Sequence, residues 1–244
     1  MKYFTLIQAR VNSKRRPGKV KELINQEELL AYQIKRLKSA GIENIIVATT
    51  INSEDDVLEQ IARRLEVFCF RGSVNNLIER YHGAINVHGI EVIIRVGGDD
   101  PLIDPDCVKE LIWTHKNKPA DFIYASHRNG WIYGTAAELI DSKVIKLAFN
   151  DTTNDIEKEH IIPYIKRKDS VKKVKLTPNS PKLIRPDIFL SVDYQEDIEI
   201  IFDILNYFRA RNRYYTFTQS ELIELIDSGI INLKNKHLHE GFID

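Results

Sequence analysis

The sequence contains very few cysteines: Cys69 and Cys107 are the only two among 244 residues. They lie far apart along the chain, and neither belongs to a C-x-x-C motif. This spacing argues against a disulfide framework and against a zinc site built from cysteines. A chain that does not depend on disulfides suits a reducing compartment, so we expect a cytoplasmic protein.

A net charge and a long apolar run are also missing. Lys plus Arg and Asp plus Glu number 35 each, so no overall positive field attracts nucleic acid. No segment approaches the roughly 18 apolar residues of a membrane span, and Gln8 and Arg10 interrupt the first apolar run. The expected partners therefore include neither nucleic acid nor membrane, and any anion must be bound by a local cluster of cations.

No Pro-, Gly- or Ser-rich linker divides the chain, which predicts a single domain over residues 1–244. Apolar residues at helical spacing alternate with short apolar runs such as Ile45–Thr50 and Val92–Val96. Strands separated by helical patterns predict an α/β fold with a three-layer, doubly wound, mostly parallel sheet. Ligands of such sheets bind at the carboxyl ends of the strands.

A cationic loop follows the first predicted strand. It contains the hydroxyl of Ser13, the backbone N–H of Gly18 and five cations, which are Arg10, Lys14, Arg15, Arg16 and Lys19. Clustered guanidinium and ammonium groups suit a polyphosphate better than a single carboxylate, so the loop is predicted to bind a nucleoside triphosphate. Neither a P-loop nor a G-x-G-x-x-G motif is present. The alternative interpretation is a solvated basic turn.

Paired carboxylates follow the strand at Val92–Val96. Two glycines allow a sharp turn that presents Asp99 and Asp100 beside the cationic loop. Mg²⁺ takes one or two carboxylates from a protein and completes its shell with phosphate oxygens and water, so the pattern predicts a magnesium site. Asp104 precedes a proline and is expected to cap the next helix instead.

Motifs along nearly the whole chain resemble those of the cytidylyltransferases that activate acidic sugars. This family includes the 3-deoxy-manno-octulosonate and acylneuraminate enzymes and an SpsF-like branch, which the chain resembles in particular. The motifs are Gln8-Ala9-Arg10 with Pro17-Gly18-Lys19, Gly98-Asp99-x-Pro101-Leu102, Gly134 with Glu138, Glu159-His160-x-x-Pro163-Tyr164, and Val192-Asp193-x-x-Glu196-Asp197. The departures are Asn12, Arg16, Gly97 and Ala136, where the family more often has Gly, Leu, Thr and an acid.

The resemblance implies a nucleotide-diphospho-sugar transferase-like fold, Mg²⁺ as cofactor, a homodimer, and roles for individual residues. The nucleotide would be bound by Gln8, Ala9, Arg10, Ser13, Arg15, Lys19 and Gly98. The metal would be held by Asp99 and Asp193, with Asp100 as a further ligand. Catalysis would depend on Arg10, Lys19, Asp99 and Asp193. The substrate would be bound by Arg128, Tyr133, Gly134, Glu138, Glu159 and His160.

Residues 126–140 show weak periodicity and are predicted to form an excursion for substrate binding or dimerisation. Trp131 and Tyr133 would either stack on a sugar or form a subunit contact, and the sequence favours neither alternative.

Two later segments complete the predicted site. A helix is expected over residues 157–165 and should end or kink at Pro163. An apolar strand at 190–192 is expected to end at Asp193, and an acid of Glu196-Asp197 would cap the following helix.

The predicted activity is transfer of CMP from CTP to an acidic 2-keto sugar, which gives a CMP-sugar and pyrophosphate for surface polysaccharide or glycan synthesis. One alternative is a nucleotidyltransferase that uses another NTP and a sugar 1-phosphate or phosphorylated alcohol. The other is a catalytically silent nucleotide-sugar binding protein, which the presence of Asp99 and Asp193 disfavours.

Overall fold

The computed structural model describes residues 1–13 and 16–239. Within these ranges seven strands form one sheet. They are β1 (Tyr3–Gln8), β4 (Ile45–Thr50), β5 (Phe68–Gly72), β6 (Val92–Gly97), β7 (Phe122–Tyr124), β8 (Glu138–Asp141) and β9 (Lys173–Lys175). A separate small hairpin consists of β2 (Leu23–Ile24) and β3 (Glu27–Glu28).

The order of the strands in the sheet is β5-β4-β1-β6-β8-β7-β9. β1 pairs in parallel with β4 and β6, and β4 pairs in parallel with β5. β8 runs antiparallel between β6 and β7, and β7 pairs in parallel with β9. The prediction of a mostly parallel sheet is therefore confirmed. Because the chain moves from β1 to β4 and β5 and then returns to the other side of β1, the topological switch lies between β1 and β6.

Nine α-helices occur in the ranges that the structure describes. They are α1 (Leu29–Ser39), α2 (Asp56–Arg64), α3 (Leu77–His88), α4 (Pro105–Asn117), α5 (Ser142–Asp151), α6 (Asp155–Glu159), α7 (Ile161–Arg167), α8 (Gln195–Arg209) and α9 (Gln219–Asp227). None of these helices combines the length and the apolarity that a transmembrane span requires.

The helices cover both faces of the sheet and bury an apolar core on each. Successive side chains of a strand point to opposite faces, so Ile7 packs with α1, α2 and α4, whereas Leu6 packs with α3, α5 and α7. A third core forms where α8 and α9 pack against residues 188–192. The helix-sheet-helix arrangement is the predicted three-layer architecture.

The predicted excursion overlaps the sheet. Residues 127–129 form a 3₁₀ turn, as expected of an irregular segment, but Glu138–Asp141 is the strand β8. This strand offers only two buried apolar residues, Leu139 and Ile140, between two acids. So short a run carries no alternation from which a strand can be recognised. The range given to the excursion was therefore too long by residues 138–140.

Trp131 lies in the core, and both of its predicted roles were wrong. Its exposed fraction is 3%, and its indole N–H donates to the carbonyl of Leu176 over 3.0 Å. A buried indole needs such a partner for its polar edge. Trp131 therefore neither stacks on a sugar nor reaches a subunit surface.

The predicted helix over residues 157–165 is divided into α6 and α7. The break lies at His160, whose backbone is extended with φ −138° and ψ 114°. Pro163 is the third residue of α7, a position where the missing N–H would have had no intrahelical acceptor. The proline thus lies in the first turn of a new helix that begins at Ile161, rather than ending or kinking one continuous helix.

The predicted strand at 190–192 is an irregular segment with a bend at Ser191, and it lies outside the named strands. An isolated bridge joins Tyr133 to Phe189, and the N–H of Val192 donates to the carbonyl of Asp99 over 2.8 Å. The apolar residues of this segment belong to the third core and not to the sheet. The apolar pattern was real, but the segment packs against helices and not between two strands.

Candidate active site

The carboxyl ends of β1 and β6 lie side by side at the topological switch. Gln8 pairs with Gly97, and the N–H of Gly98 donates to the carbonyl of Gln8 over 2.8 Å. A Cβ atom at position 98 would lie 2.8 Å from Ala9 Cβ and 2.9 Å from Gln8 O, closer than these atoms can approach. Gly98 therefore brings the two strand ends together, and its contact with a nucleotide stays a prediction.

The loop after β1 lines a cavity of about 370 Å³, which we call the loop cavity. Its lining includes Arg10, Ser13, Lys19 and Asp99, together with Glu159 and His160 from the break between α6 and α7. Arg10 Nη2 lies 3.3 Å from Glu159 Oε1, and about a third of each side chain is exposed. A pair so exposed leaves the guanidinium able to turn toward an anion in the cavity.

In the rest of the cationic loop, Arg16 and Gly18 have partners within the protein, and two further cations lie outside the described residues. Arg16 forms an ion pair with Glu22 at 2.7 Å, so this added cation is neutralised within the loop. The N–H of Gly18 donates to the carbonyl of Val11 over 2.8 Å and is therefore already used. Arg15, predicted to contact the nucleotide, lies outside the described residues together with Lys14.

Lys19 is buried between two carboxylates. Its Nζ lies 2.7 Å from Asp99 Oδ2, 2.8 Å from Asp193 Oδ1 and 2.7 Å from the carbonyl oxygen of Val192. Burial alone would lower the pKa of Lys19, but the two carboxylates outweigh it and raise the pKa above its usual value. All three ammonium protons have acceptors, so a phosphate contact would have to replace one of them.

Asp99 and Asp193 thus converge on the Lys19 ammonium, whereas the resemblance implied that they converge on a metal ion. No group of three or more His, Cys, Asp and Glu side chains in residues 1–13 and 16–239 is arranged to hold a metal ion. An all-protein metal cage is therefore not a feature of these ranges. Two carboxylates nevertheless fit a Mg²⁺ ion whose remaining ligands are phosphate oxygens and water.

Hydrogen bonds from Gln33 of α1 stabilise the turn that carries Asp99. Gln33 Nε2 donates to the carbonyls of Gly97 and Asp100, each over 2.7 Å. A Cβ atom at position 97 would lie 2.5 Å from Asp99 Oδ1 and 2.6 Å from Asp100 Oδ2. The departure to glycine at this position therefore leaves room for both carboxylates. Burial and the neighbouring Asp99 raise the pKa of Asp100 to about 7.

Asp193 is fixed by the first turn of α8. Asp197 accepts hydrogen bonds from the backbone N–H groups of Asp193 and Tyr194, over 2.8 Å and 2.7 Å. It also accepts from Asn235 Nδ2 over 2.8 Å and pairs with His239 Nε2 at 3.1 Å. The predicted capping of this helix by an acid is confirmed for Asp197, which in addition ties the C-terminal segment to Asp193.

A second cavity of about 360 Å³ lies on the β8 side of Asp99, and we call it the Glu138 cavity. Its lining includes Gln8, Arg95, Asp99, Asp100, Tyr133 and Glu138. Arg95 Nη1 lies 2.6 Å from Glu138 Oε2, and both side chains are partly buried in the cavity wall. Asp99, Gln8 and His160 line both this cavity and the loop cavity.

The predicted substrate residues differ in their placement. Tyr133, Glu138 and His160 line the Glu138 cavity, whereas Arg128 is exposed and lines neither of the two cavities described above. Gly134 also lines the Glu138 cavity, but its φ of +88° and the backbone N of Ser191, which a Cβ would approach to 2.4 Å, require glycine there. The structure therefore gives Gly134 a conformational role.

The sequence interpretation missed the loop between β5 and α3. Val74, Asn75, Leu77 and Arg80 line a small cavity of about 100 Å³, the Arg80 cavity, together with Gln8–Arg10, Glu159 and His160. Arg80 is 4% exposed, and its guanidinium donates to the carbonyl of Ser73 over 2.7 Å. This loop could have been predicted from its place after a parallel strand, because all such loops lie at the same edge of the sheet.

Gln8 connects these cavities through a buried polar network that the sequence did not indicate. Its Oε1 accepts hydrogen bonds from the Tyr81 hydroxyl and, over 3.2 Å, from Arg95 Nε. Arg95 Nε can only donate, so the amide orientation of Gln8 is determined chemically. Gln8 lines all three cavities.

Comparison with known proteins shows that the chain is similar to cytidylyltransferases over most of its length. The family model described as "Cytidylyltransferase" matches residues 4–225. The spore coat polysaccharide biosynthesis protein SpsF of Bacillus subtilis is 28% identical over 228 residues, which cover 91% of this chain and 92% of SpsF. The 3-deoxy-manno-octulosonate cytidylyltransferase of Alteromonas mediterranea is 30% identical over 119 residues, covering 49% of this chain and 48% of that enzyme.

A solved structure agrees over nearly the whole fold. The structure of a cytidylyltransferase from Leptospira borgpetersenii superposes with a TM-score of 0.87 at 30% sequence identity. The similarity covers 95% of this chain and 97% of that one.

Proposed function

The chain belongs to the cytidylyltransferase family, and we propose that it transfers CMP from CTP to an acidic 2-keto sugar. As a member of this family it is a nucleotidyltransferase. In the proposed reaction the anomeric hydroxyl oxygen attacks the α-phosphorus of CTP. A bond forms between them, the bond from the α-phosphorus to the bridging oxygen breaks, pyrophosphate leaves, and the hydroxyl proton passes to solvent.

The observation that carries this proposal is the position of Asp99 between two cavities. It lines the loop cavity and the Glu138 cavity, and it shares the Lys19 ammonium with Asp193. A group transfer between two bound substrates needs their reacting atoms to meet at one point, held in line. We therefore assign the triphosphate to the loop cavity, the acceptor to the Glu138 cavity, and the reacting atoms to the space beside Asp99.

The nucleotide side is assigned from charge and continuity. Arg10 is the cation of the loop cavity whose side chain is about a third exposed, and it supplies the charge-assisted contact to a phosphate, with Ser13 also in the lining. The loop cavity and the Arg80 cavity share Gln8–Arg10, Glu159 and His160. Because they are contiguous, the base of the nucleotide is assigned to the Arg80 cavity, where Arg80 fixes the backbone carbonyl of Ser73.

The two carboxylates would hold Mg²⁺, and Lys19 would keep them in place. When bound, the ion would neutralise charge on the phosphate oxygens and acidify the attacking hydroxyl. Lys19 limits the repulsion between Asp99 and Asp193 and holds them near each other in this structure. Asp197 and Gln33 support the segments on which the two carboxylates stand.

The acidic sugar and the homodimer rest on the family resemblance, whereas the proposed cytoplasmic location rests on the two isolated cysteines. SpsF is named for polysaccharide biosynthesis, and the Alteromonas enzyme is named for an octulosonate acceptor. We accordingly propose that the CMP-sugar serves surface polysaccharide or glycan synthesis. Sedimentation of the purified protein tests the homodimer.

Pyrophosphate release measured with each of four NTPs, and with a panel of 2-keto sugar acids, tests the function. We expect release with CTP and Mg²⁺, and at least about tenfold less with ATP, GTP or UTP. Release with another NTP and a sugar 1-phosphate would establish the alternative nucleotidyltransferase activity. A folded protein that binds nucleotide but releases no pyrophosphate with any acceptor would contradict the proposal.

A further inference from the structure

The charges that line the Glu138 cavity determine which chemical groups can bind beside the Arg95–Glu138 pair. Among the described residues that line it, Arg95 is the one Lys or Arg, whereas three carboxylates face it, from Asp99, Asp100 and Glu138. Two histidines, His127 and His160, and the phenol of Tyr133 complete its titratable lining. The wall of the cavity is therefore richer in hydrogen-bond acceptors than in cations.

The single arginine is already occupied. Its Nη1 lies 2.6 Å from Glu138 Oε2, and its Nε donates to Gln8 Oε1 over 3.2 Å. The exposed fractions of the side chains are 22% for Arg95 and 18% for Glu138, so solvent screens this pair poorly. A carboxylate that approached the guanidinium would have to displace Glu138. Otherwise it would lie beside Glu138 as an additional negative charge that no cation neutralises.

Glu138 has a further oxygen for a ligand. Only its Oε2 takes part in the pair with Arg95, and within the described ranges Oε1 accepts no hydrogen bond. An ionised carboxylate oxygen accepts but cannot donate, so the group that completes its bonding must carry a proton. Hydroxyl and amino groups meet this requirement, and a second carboxylate does not.

We propose that the acceptor meets the Arg95–Glu138 pair with hydroxyl or amino groups and never with a carboxylate. This inference rests on the proposed function, because it assumes that the acceptor occupies the Glu138 cavity. In a 2-keto sugar acid the carboxylate is bonded to the carbon that carries the reacting hydroxyl. It therefore stays at the Asp99 end, and the polyhydroxylated remainder of the sugar extends to the pair.

Three acceptors that differ at one atom group test the inference. They are 2-keto sugar acids of one carbon skeleton whose terminal carbon carries a hydroxyl group, an amino group or a carboxylate. Each is titrated calorimetrically into the full chain and is also assayed for pyrophosphate release with CTP. We expect the hydroxyl and amino forms to bind at least about tenfold more tightly than the dicarboxylate, because a like charge beside Glu138 is repelled. Equal or tighter binding of the dicarboxylate would overturn the inference.

The variant Glu138→Gln tests the residue directly. Neutralising this side chain frees Arg95 to pair with a carboxylate, so the preference against the dicarboxylate should fall at least about tenfold. Glu199→Gln makes the same change at an exposed surface pair with Lys234 and should leave the preference unaltered. An undiminished preference in folded Glu138→Gln would assign the selectivity elsewhere and overturn the inference.

The design separates this inference from the proposed function. If Glu138→Gln fails to fold, the double variant Arg95→Gln, Glu138→Gln removes both charges together. The titration of the unmodified protein with the three acceptors tests the inference even if neither variant folds. Binding preference without pyrophosphate release would overturn the cytidylyl transfer and support the inference. Pyrophosphate release that is greatest with the dicarboxylate would do the reverse.

Discussion

Lys19 Nζ and Asp193 Oδ1 lie 2.8 Å apart, and both side chains are buried. Asp99 Oδ2 is 2.7 Å from the same nitrogen, so one ammonium joins the end of β6 to the segment before α8. The sequence pattern grouped Lys19 with Arg10 as a phosphate contact. The structure separates them: Lys19 neutralises carboxylates, whereas the Arg10 side chain lines the loop cavity and is about a third exposed.

Replacing Lys19 by Met should destabilise the fold. Asp193 would remain buried without its partner, and loss of one member of a buried pair lowers the free energy of unfolding by about 3 to 5 kcal/mol. Urea denaturation measures this change, and Lys35→Met, which breaks the partly exposed pair with Glu27, should cost under about 1 kcal/mol. If Mg²⁺ binds the same carboxylates, it should stabilise Lys19→Met more than the wild type. Unchanged stability of Lys19→Met would contradict the buried role.

Replacing Arg10 by Ala should weaken CTP binding and leave stability unchanged. A charge-assisted phosphate contact contributes about 1.5 to 3 kcal/mol, which corresponds to a Kd about 10 to 150 times higher. The pair with Glu159 is a third exposed, so its loss should alter unfolding little. Calorimetric titration with CTP measures the affinity. Arg16→Ala, which removes a loop cation paired with Glu22, is the matched control and should bind CTP normally. Equal affinities of all three proteins would mean that the loop is only a solvated surface.

The central strands and the turn that carries Asp99 could be predicted because their signals are local. β4 is buried at every position, and a strand buried on both faces reads as a continuous apolar run. The Gly-rich turn with Asp99 follows such a strand directly. Asp193 was found through a motif resemblance, although the strand assigned to it does not exist.

Features that depend on distant partners could not be predicted. Lys19 meets an acid 174 residues later in the chain, and nothing near Lys19 indicates that contact. Glu138 was assigned to an irregular segment because β8, with four residues, is too short to show a strand pattern. Its pairing with Arg95 arises only when β6 and β8 lie side by side in the sheet. Trp131 was assigned to a sugar or to a subunit contact because an aromatic residue in an irregular segment carries no periodicity from which burial can be inferred.

Trp131→Ala should reduce stability without altering the oligomeric state of the folded protein. Truncation of a buried Trp leaves a cavity and typically costs about 3 to 5 kcal/mol, here with loss of the hydrogen bond to Leu176. Urea denaturation and sedimentation measure the two effects. Trp113→Ala removes an indole that is 66% exposed and should cost under about 0.5 kcal/mol. A folded Trp131→Ala protein that dissociates at unchanged stability would restore the subunit contact.

Asp104 should make stability fall as pH rises from about 4 to 6. Burial raises its pKa from 3.8 to about 6, with Arg36 opposing the shift. In this window the folded state binds more protons than the unfolded state, so raising the pH favours unfolding. The full effect is about 3 kcal/mol at 1.36 kcal/mol per pH unit.

The variant Asp104→Asn isolates that group, because Asn also caps helices through its side-chain oxygen. Between pH 4 and pH 7 the stability of Asp104→Asn should rise relative to the wild type. Urea denaturation at four pH values measures the difference, and Asp106→Asn, at an exposed neighbour, should track the wild type. Parallel stability curves for wild type and Asp104→Asn would show that Asp104 titrates normally.

Asp99 and Asp193 should behave as one unit in catalysis, since they come from separate segments yet share one cation. If both hold the Mg²⁺ that the transfer requires, Asp99→Asn and Asp193→Asn should each lower kcat about a hundredfold or more. The double variant should then fall little further, because the site is already lost. Asn keeps the size of the side chain and an oxygen for Lys19, so folding should survive.

Pyrophosphate release across a Mg²⁺ titration measures kcat, and Asp106→Asn is the control. Losses that multiply would assign the two carboxylates separate roles, and a folded Asp193→Asn protein with normal kcat and Mg²⁺ dependence would limit Asp193 to holding Lys19.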